Sequence, residues 1–358
     1  MIEQWHLFRF RVDFGRACAG ALAGLHLIAL AVFLLTASFA SRTLAQEGMS
    51  CSGADLMARL AVENPAALEV ARAEAAAIPN STGIFWKVTK PGVAPSWLLG
   101  TMHSPDPRIA RIDGAVRDAL EASATVLVES TDALDAVKMR AAMQELKDIA
   151  YLPKGTNLES LMPQAAIAPL QREAEAHGMP WPVANQMQPW MVAAAIARPM
   201  CELRAASTGE PVLDELIART AQKAGIQVAG LESVSEQFKA VASIAQEFHV
   251  NALADLVELG AVSDDVTETT KLLYLKGEIG LVLPLVRVFS PKAYEGKGYA
   301  EFQDLLVRKR NAVMVERATP FLEKGNVFMA VGALHLPGKE GIVALLQNAG
   351  FAVEHVAR

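Results

Sequence analysis

Short apolar runs alternate along this chain with stretches whose apolar residues recur every three or four positions, and their order predicts an α/β protein. β-Branched and aromatic residues over Gly83–Val88 and Ser96–Gly100, split by Pro91–Gly92, read as two strands joined as a hairpin-like pair. Arg111–Ala122 carries Ile112, Val116 and Leu120 at helical steps, and Thr125–Val128 is a continuous apolar run of strand type. Further strands are predicted over Ile226–Leu231, Val327–Val331 and Phe351–His355. Helices are predicted over Glu301–Leu322 and Gly341–Asn348, with a Gly/Pro/Lys loop over Ser290–Tyr299. Cys51–Ile78 is an Ala-rich helical lead-in in which Asn64–Pro65 marks a helix start. Residues 132–225 are rich in Ala, Leu, Met, Glu and Gln and read as several helices without strands. The expected architecture is a central mixed, largely parallel sheet built from both ends of the chain, with residues 132–225 as a helical insertion.

The N-terminal pattern is different. Arg9, Arg11 and Arg16 precede an uncharged apolar stretch, Ala17–Ala40, followed by Ser41–Ala45. That order is a secretory leader, with cleavage expected after Ala45 or, by the same small-x-small rule, after Ala40. The rival reading is an uncleaved anchor, because the stretch is long enough to span a bilayer. Residues 1–45 are thus signal peptide or membrane anchor and residues 46–358 the folded body, exported to the periplasm or secreted, or held at a membrane through residues 17–40.

Composition narrows the class. The overall hydrophobic content of 52% is inflated by the N-terminal run, and the net charge of −6, with no basic stripe, gives no electrostatic reason to expect a nucleic-acid partner. Of the 3 cysteines, Cys18 falls in the leader, which leaves Cys51 and Cys201. An oxidising compartment favours their pairing; the alternative is two separately buried thiols.

Two histidines share one context. Leu98-Leu99-Gly100-Thr101-Met102-His103 and Ala330-Val331-Gly332-Ala333-Leu334-His335 each run from an apolar strand through glycine to a histidine three residues on. Glycine at a strand end allows a sharp turn that presents the next polar side chain over the sheet edge, where ligands of open α/β sheets bind. The bland reading is a strand-end histidine bonded to a neighbouring carbonyl. Two other strands lead into acids, Glu129 and Glu232, which alone would be solvated strand-end residues. If the four strands are parallel neighbours, two imidazoles and two carboxylates converge at one rim. Such a set can ligate a divalent metal with an open position for water, or act without metal as a carboxylate-oriented general base. Arg310-Asn311, in the helix before the second Gly-x-x-His strand, either belongs to a solvated basic face with Arg308 and Lys309 or reaches the rim to bind substrate and stabilise negative charge.

Taken together, the GTMH and GALH motifs, the strand ending in Glu129, the GLES segment with Glu232 followed by Glu236-Gln237, Arg310-Asn311 and the tail FMAVGALHLPGKEGIVALLQNAGF resemble the TraB/GumN family, related to the Tiki proteases and the erythromycin-esterase-like and ChaN-like group. The resemblance runs from about Cys51 to the C-terminus. It implies an exported hydrolase, peptidase-like as in the metal-dependent Tiki relatives, in which His103, His335 and Glu129 hold or orient a divalent ion (Mn, Co or Zn). Glu232 is then a further ligand or proton shuttle, and Arg310 and Asn311 face a peptide or other envelope substrate. Two other classes remain open on the residues: a metal-free His/Glu hydrolase of ester-type bonds, and a non-catalytic envelope binding protein.

Overall fold

The computed structural model describes residue 51 and residues 53–289 and 297–357. The leader or anchor expected over residues 1–45 lies outside the described residues, as does the 290–296 part of the expected loop; among the described residues no helix is long and apolar enough to cross a membrane. Contacts gather the described residues into a main body, reaching to Glu202 and resuming at Pro211, and a separate small unit that takes in Leu203–Glu210, the end of helix Met200–Ser207 and the turn after it.

Six strands form one sheet: β1 Phe85–Thr89, β2 Ser96–Thr101, β3 Thr125–Val128, β4 Gln227–Gly230, β5 Val327–Gly332 and β6 Ala352–His355, in the order β4-β3-β5-β2-β1-β6. β4, β3, β5 and β2 are mutually parallel, and β1 pairs antiparallel with both β2 and β6. The predicted α/β class and the mixed, largely parallel sheet are therefore observed, with strands drawn from both ends of the chain. β5 sits between β3 and β2 and reads as an unbroken apolar run, as an interior parallel strand must; Phe328, Met329, Ala330 and Val331 are fully buried. The edge strands β4 and β6 keep exposed positions.

The helices start where the chain supplies caps. The Asn64 side chain accepts from Ala67 N–H and Pro65 opens helix Pro65–Ala77, while Ser233 and Glu236 form a capping box on helix Val234–Ala242. Between β3 and β4 the described residues form helices and one isolated bridge, Tyr151 with Met187. Cys51 and Cys201 are joined in a disulfide, Cα to Cα 5.5 Å.

Two boundaries depart from expectation. Residues 297–299 are not loop but the start of helix Lys297–Phe302. The single helix expected over Glu301–Leu322 is instead a π-helical segment, Gln303–Arg308, followed by α-helix Lys309–Leu322. A π segment adds a residue per turn, so it resets the angular position of everything before it relative to Arg310 and Asn311; apolar spacing read by eye does not register such a reset.

Candidate active site

The four parallel strands end at one edge, β2 with β5 and, two residues earlier in register, β3 with β4. Thr101 pairs with Gly332, and Val128 pairs with both Ala330 and Gly230. Backbone bonds continue past two of the ends, with Leu231 N–H donating to Val128 O (2.9 Å) and Glu232 N–H to Glu129 O (2.7 Å), which keeps the two acids side by side. The sheet thus brings His103, Glu129, Glu232 and His335 to one edge.

Both motif glycines act through close approach, not through a left-handed turn. Neither has positive φ. A Cβ on Gly100 would lie 2.7 Å from Leu336 Cδ1 and 3.0 Å from Ala333 Cα, and one on Gly332 would lie 3.0 Å from Glu129 Oε1. The Gly332 N–H donates to that same oxygen at 2.6 Å.

His335 is buried and its tautomer is set by its neighbours. Asn311 Nδ2 donates to Glu340 O (2.7 Å), which turns the Asn311 Oδ1 toward His335 Nδ1 at 2.6 Å. A carbonyl can only accept, so Nδ1 carries the hydrogen and Nε2 presents its lone pair, 3.8 Å from Glu129 Oε1. Burial pushes the imidazole pKa down to about 4, so the ring is neutral near pH 7. Asn311 is itself fully buried. Its amide stands behind His335, between that ring and the Glu340 carbonyl, and not, as expected, toward a substrate.

Arg310 does reach the rim, where its fork is engaged by carboxylates. Nε lies 3.1 and 3.0 Å from the two Glu232 oxygens, and Nη2 lies 2.7 Å from Glu232 Oε2 and 2.9 Å from Glu129 Oε2. Its Nη1 makes a long contact with Leu306 O, 3.4 Å. Arg308 and Lys309 instead pair with Asp304 on the helix surface. Burial alone would raise the Glu129 pKa, but the surrounding imidazoles, the Arg310 guanidinium and the Gly332 N–H outweigh it and hold the carboxyl below its usual range. Gln237 joins the pair, its Nε2 2.9 Å from Glu129 Oε2 and 3.4 Å from Glu232 Oε2.

His103 stands at the open side, with 60% of its side chain exposed, and its Nδ1 is 2.8 Å from Asp214 Oδ2. The Asp214 charge and hydrogen bond raise its pKa to about 9, an attraction that water around the exposed ring partly screens. Asp214 is a neighbour of the rim that the sequence does not single out, whereas Gln237 and Thr101, whose Oγ1 donates to Asp214 Oδ1 at 2.5 Å, stand within the quoted motifs but are given no role by them. Asp214 sits in the first turn of helix Leu213–Lys223, where acids are commonplace, so position alone does not mark it. A cleft of about 220 Å³ opens beside these groups, lined by His103, Glu129, Asp214 and Gln237 with Leu134 and Val234 as apolar walls.

As the side chains stand, no group of three or more His, Cys, Asp or Glu among the described residues is close enough to hold a metal ion. The donor chemistry nevertheless suits one. His335 is neutral with Nε2 unprotonated, and its 3.8 Å gap to Glu129 Oε1 is near the ~3–4 Å separating neighbouring ligand atoms on an ion with bonds of ~2.1 Å.

The model of the TraB/PrgY/gumN family matches residues 84–355. Among curated proteins, the chain is 28% identical over 326 residues to metalloprotease TIKI2 of Danio rerio, a match covering 77% of this chain and 61% of that protein. It is 25% identical over 332 residues to the metalloprotease TIKI homolog of Nematostella vectensis, covering 77% of this chain and 68% of the other. The match therefore takes in less than two thirds of the Danio rerio protein. No solved structure matches the chain significantly. With a family model covering most of its length and carrying all four strand-end residues of the rim, the chain belongs to the TraB/PrgY/gumN family.

Proposed function

We propose that this chain is an exported, metal-dependent hydrolase of peptide bonds. The observation that carries the proposal is the His335 environment: Asn311 on Nδ1 leaves an unprotonated Nε2 facing a Glu129 carboxylate at the rim of a cleft. The names of the two relatives, both metalloproteases, favour the same reading. His335, His103 and Glu129 are the residues that would hold a divalent ion, and their imidazole and carboxylate donors are compatible with Mn, Co or Zn. Such an ion supplies a Lewis acid and lowers the pKa of the water it binds. The chain's own residues do the rest. Arg310 holds the Glu129 and Glu232 carboxyl groups side by side; Glu232 Oε1, which accepts only from Arg310 Nε among the described residues, takes the proton of the attacking water; Arg310 Nη1 would face the oxygen on which charge develops.

The His103–Asp214 pair carries a second reading, in which an aspartate-oriented imidazole, deprotonated above its raised pKa of about 9, activates water without metal. Metal analysis and a peptide-cleavage assay separate the two. Exhaustive chelation should reduce cleavage at least 100-fold, with recovery on adding one of Mn²⁺, Co²⁺ or Zn²⁺, and His335→Ala should stay inactive throughout. Full activity in metal-free protein would overturn the metal reading and leave the second.

A further inference from the structure

We infer that Asp214 is the positioning residue of His103, as Asn311 is of His335: it holds Nδ1 so that Nε2 is the atom turned to the cleft. The inference rests on the metal-dependent reading above and deepens it. The two motif histidines are held alike, each by a side-chain oxygen brought from a separate helix to its Nδ1, Asn311 Oδ1 at 2.6 Å and Asp214 Oδ2 at 2.8 Å. Histidines that bind metals through one ring nitrogen are characteristically fixed through the other, because the outer bond selects the tautomer and aims the ring.

The support behind Asp214 is built into rigid structure. Its helix, Leu213–Lys223, is packed into the sheet core through Leu213, Ile217, Ala218 and Ala221, all buried. Its other oxygen is held by Thr101 Oγ1 at 2.5 Å, and Thr101 is the residue directly after the first motif glycine. That bond accounts for a difference between the two motifs. Gly-Thr-Met-His needs a hydroxyl at its second position to anchor the carboxylate that serves its histidine, whereas Gly-Ala-Leu-His carries Ala333 there because Asn311 is anchored by the Glu340 carbonyl instead. The Asp214 Oδ2 contact with His103 is close in distance but imperfectly aligned, and no other hydrogen-bond partner reaches that oxygen among the described residues. Contacts of this kind tighten when the site is filled.

The test reads the ring directly. Nitrogen NMR of the His103 imidazole, at a pH where it is neutral, should show hydrogen on Nδ1 in the native protein and in Asp214→Asn, which keeps an accepting oxygen, but on Nε2 in Asp214→Ala. Equilibrium binding of Co²⁺ should weaken by about 10–100-fold in Asp214→Ala, with kcat falling by a similar factor and KM little changed, and Asp214→Asn should restore most of both. Should Asp214→Ala fail to fold, Thr101→Val removes one anchor only and is expected to weaken Co²⁺ binding several-fold. Retention of the Nδ1 hydrogen and of Co²⁺ affinity in Asp214→Ala, or in its absence an unchanged Thr101→Val, overturns the inference. His103→Ala separates this failure from that of the function: if it leaves Co²⁺ binding and cleavage intact, the metal-dependent reading falls, whereas if it abolishes both while Asp214→Ala changes nothing, only the role of Asp214 falls.

Discussion

Arg310 carries one positive charge against two buried carboxyl groups, Glu129 and Glu232, and meets them with four contacts of 2.7–3.1 Å. Removing one member of a buried charge cluster costs about 3–5 kcal/mol, because the remaining charges lose their partner without regaining water. Arg310→Ala is accordingly expected to lower the unfolding free energy by about that much, read from urea denaturation. Arg310→Lys should recover part of the stability but not the cleavage activity, since an ammonium cannot span two carboxylates as the planar fork does. A loss below 1 kcal/mol in Arg310→Ala would mean that water, not the guanidinium, satisfies the acids. The neighbour of Arg310 shows the limit of reading residues in sequence. Arg310 and Asn311 are adjacent, yet successive helix positions point about 100° apart. One therefore reaches the rim acids while the other is sealed behind His335, and only the packing decides which.

At the scale of elements, parallel strands ending along one edge bring four distant segments together. Their apolar runs are legible because a strand buried on both faces must be apolar throughout, and β3 falls where its run predicted, Thr125–Val128. The glycines that end β2 and β5 are legible too, but the reason they are needed is tertiary: the space above Gly332 is occupied by Glu129 Oε1 and that above Gly100 by the 333–336 turn. Gly332→Ala is expected to push the Glu129 carboxylate off its bond to the Gly332 N–H and to reduce cleavage at least 10-fold. Gly100→Ala should act mainly on stability, by about 1–3 kcal/mol, since Leu336 and Ala333 must give way. Equal effects of both substitutions on activity and on thermal unfolding would remove the distinction. The π segment Gln303–Arg308 was not legible, because apolar spacing in a helix of ordinary period and in one with a local widening differ by a single residue.

Across the whole molecule, the Cys51–Cys201 disulfide closes a span of 150 residues. It ties the start of the described chain to the segment beside Glu202, whose carboxylate accepts from Ser104 Oγ at 2.7 Å and pairs with the fully buried Lys271 at 2.6 Å. Ser104 directly follows His103, so the bridge and the buried ion pair brace the flank of the site. Reduction, or Cys51→Ser with Cys201→Ser, is expected to cost about 2–5 kcal/mol, chiefly by releasing the unfolded chain from a long closed loop. Calorimetry of the oxidised and reduced protein measures it, and coincident unfolding curves would show that the bridge does not contribute. The sequence alone determined which segments are strands and that two histidines and two acids stand at strand ends, because these follow from local periodicity and residue type. Which of those ends lie together, which nitrogen of each histidine is free, and that Asp214, Thr101 and Gln237 belong to the site were decided by tertiary structure. Strand order and side-chain partnership come from contacts between residues far apart in the chain, and local pattern carries no record of them.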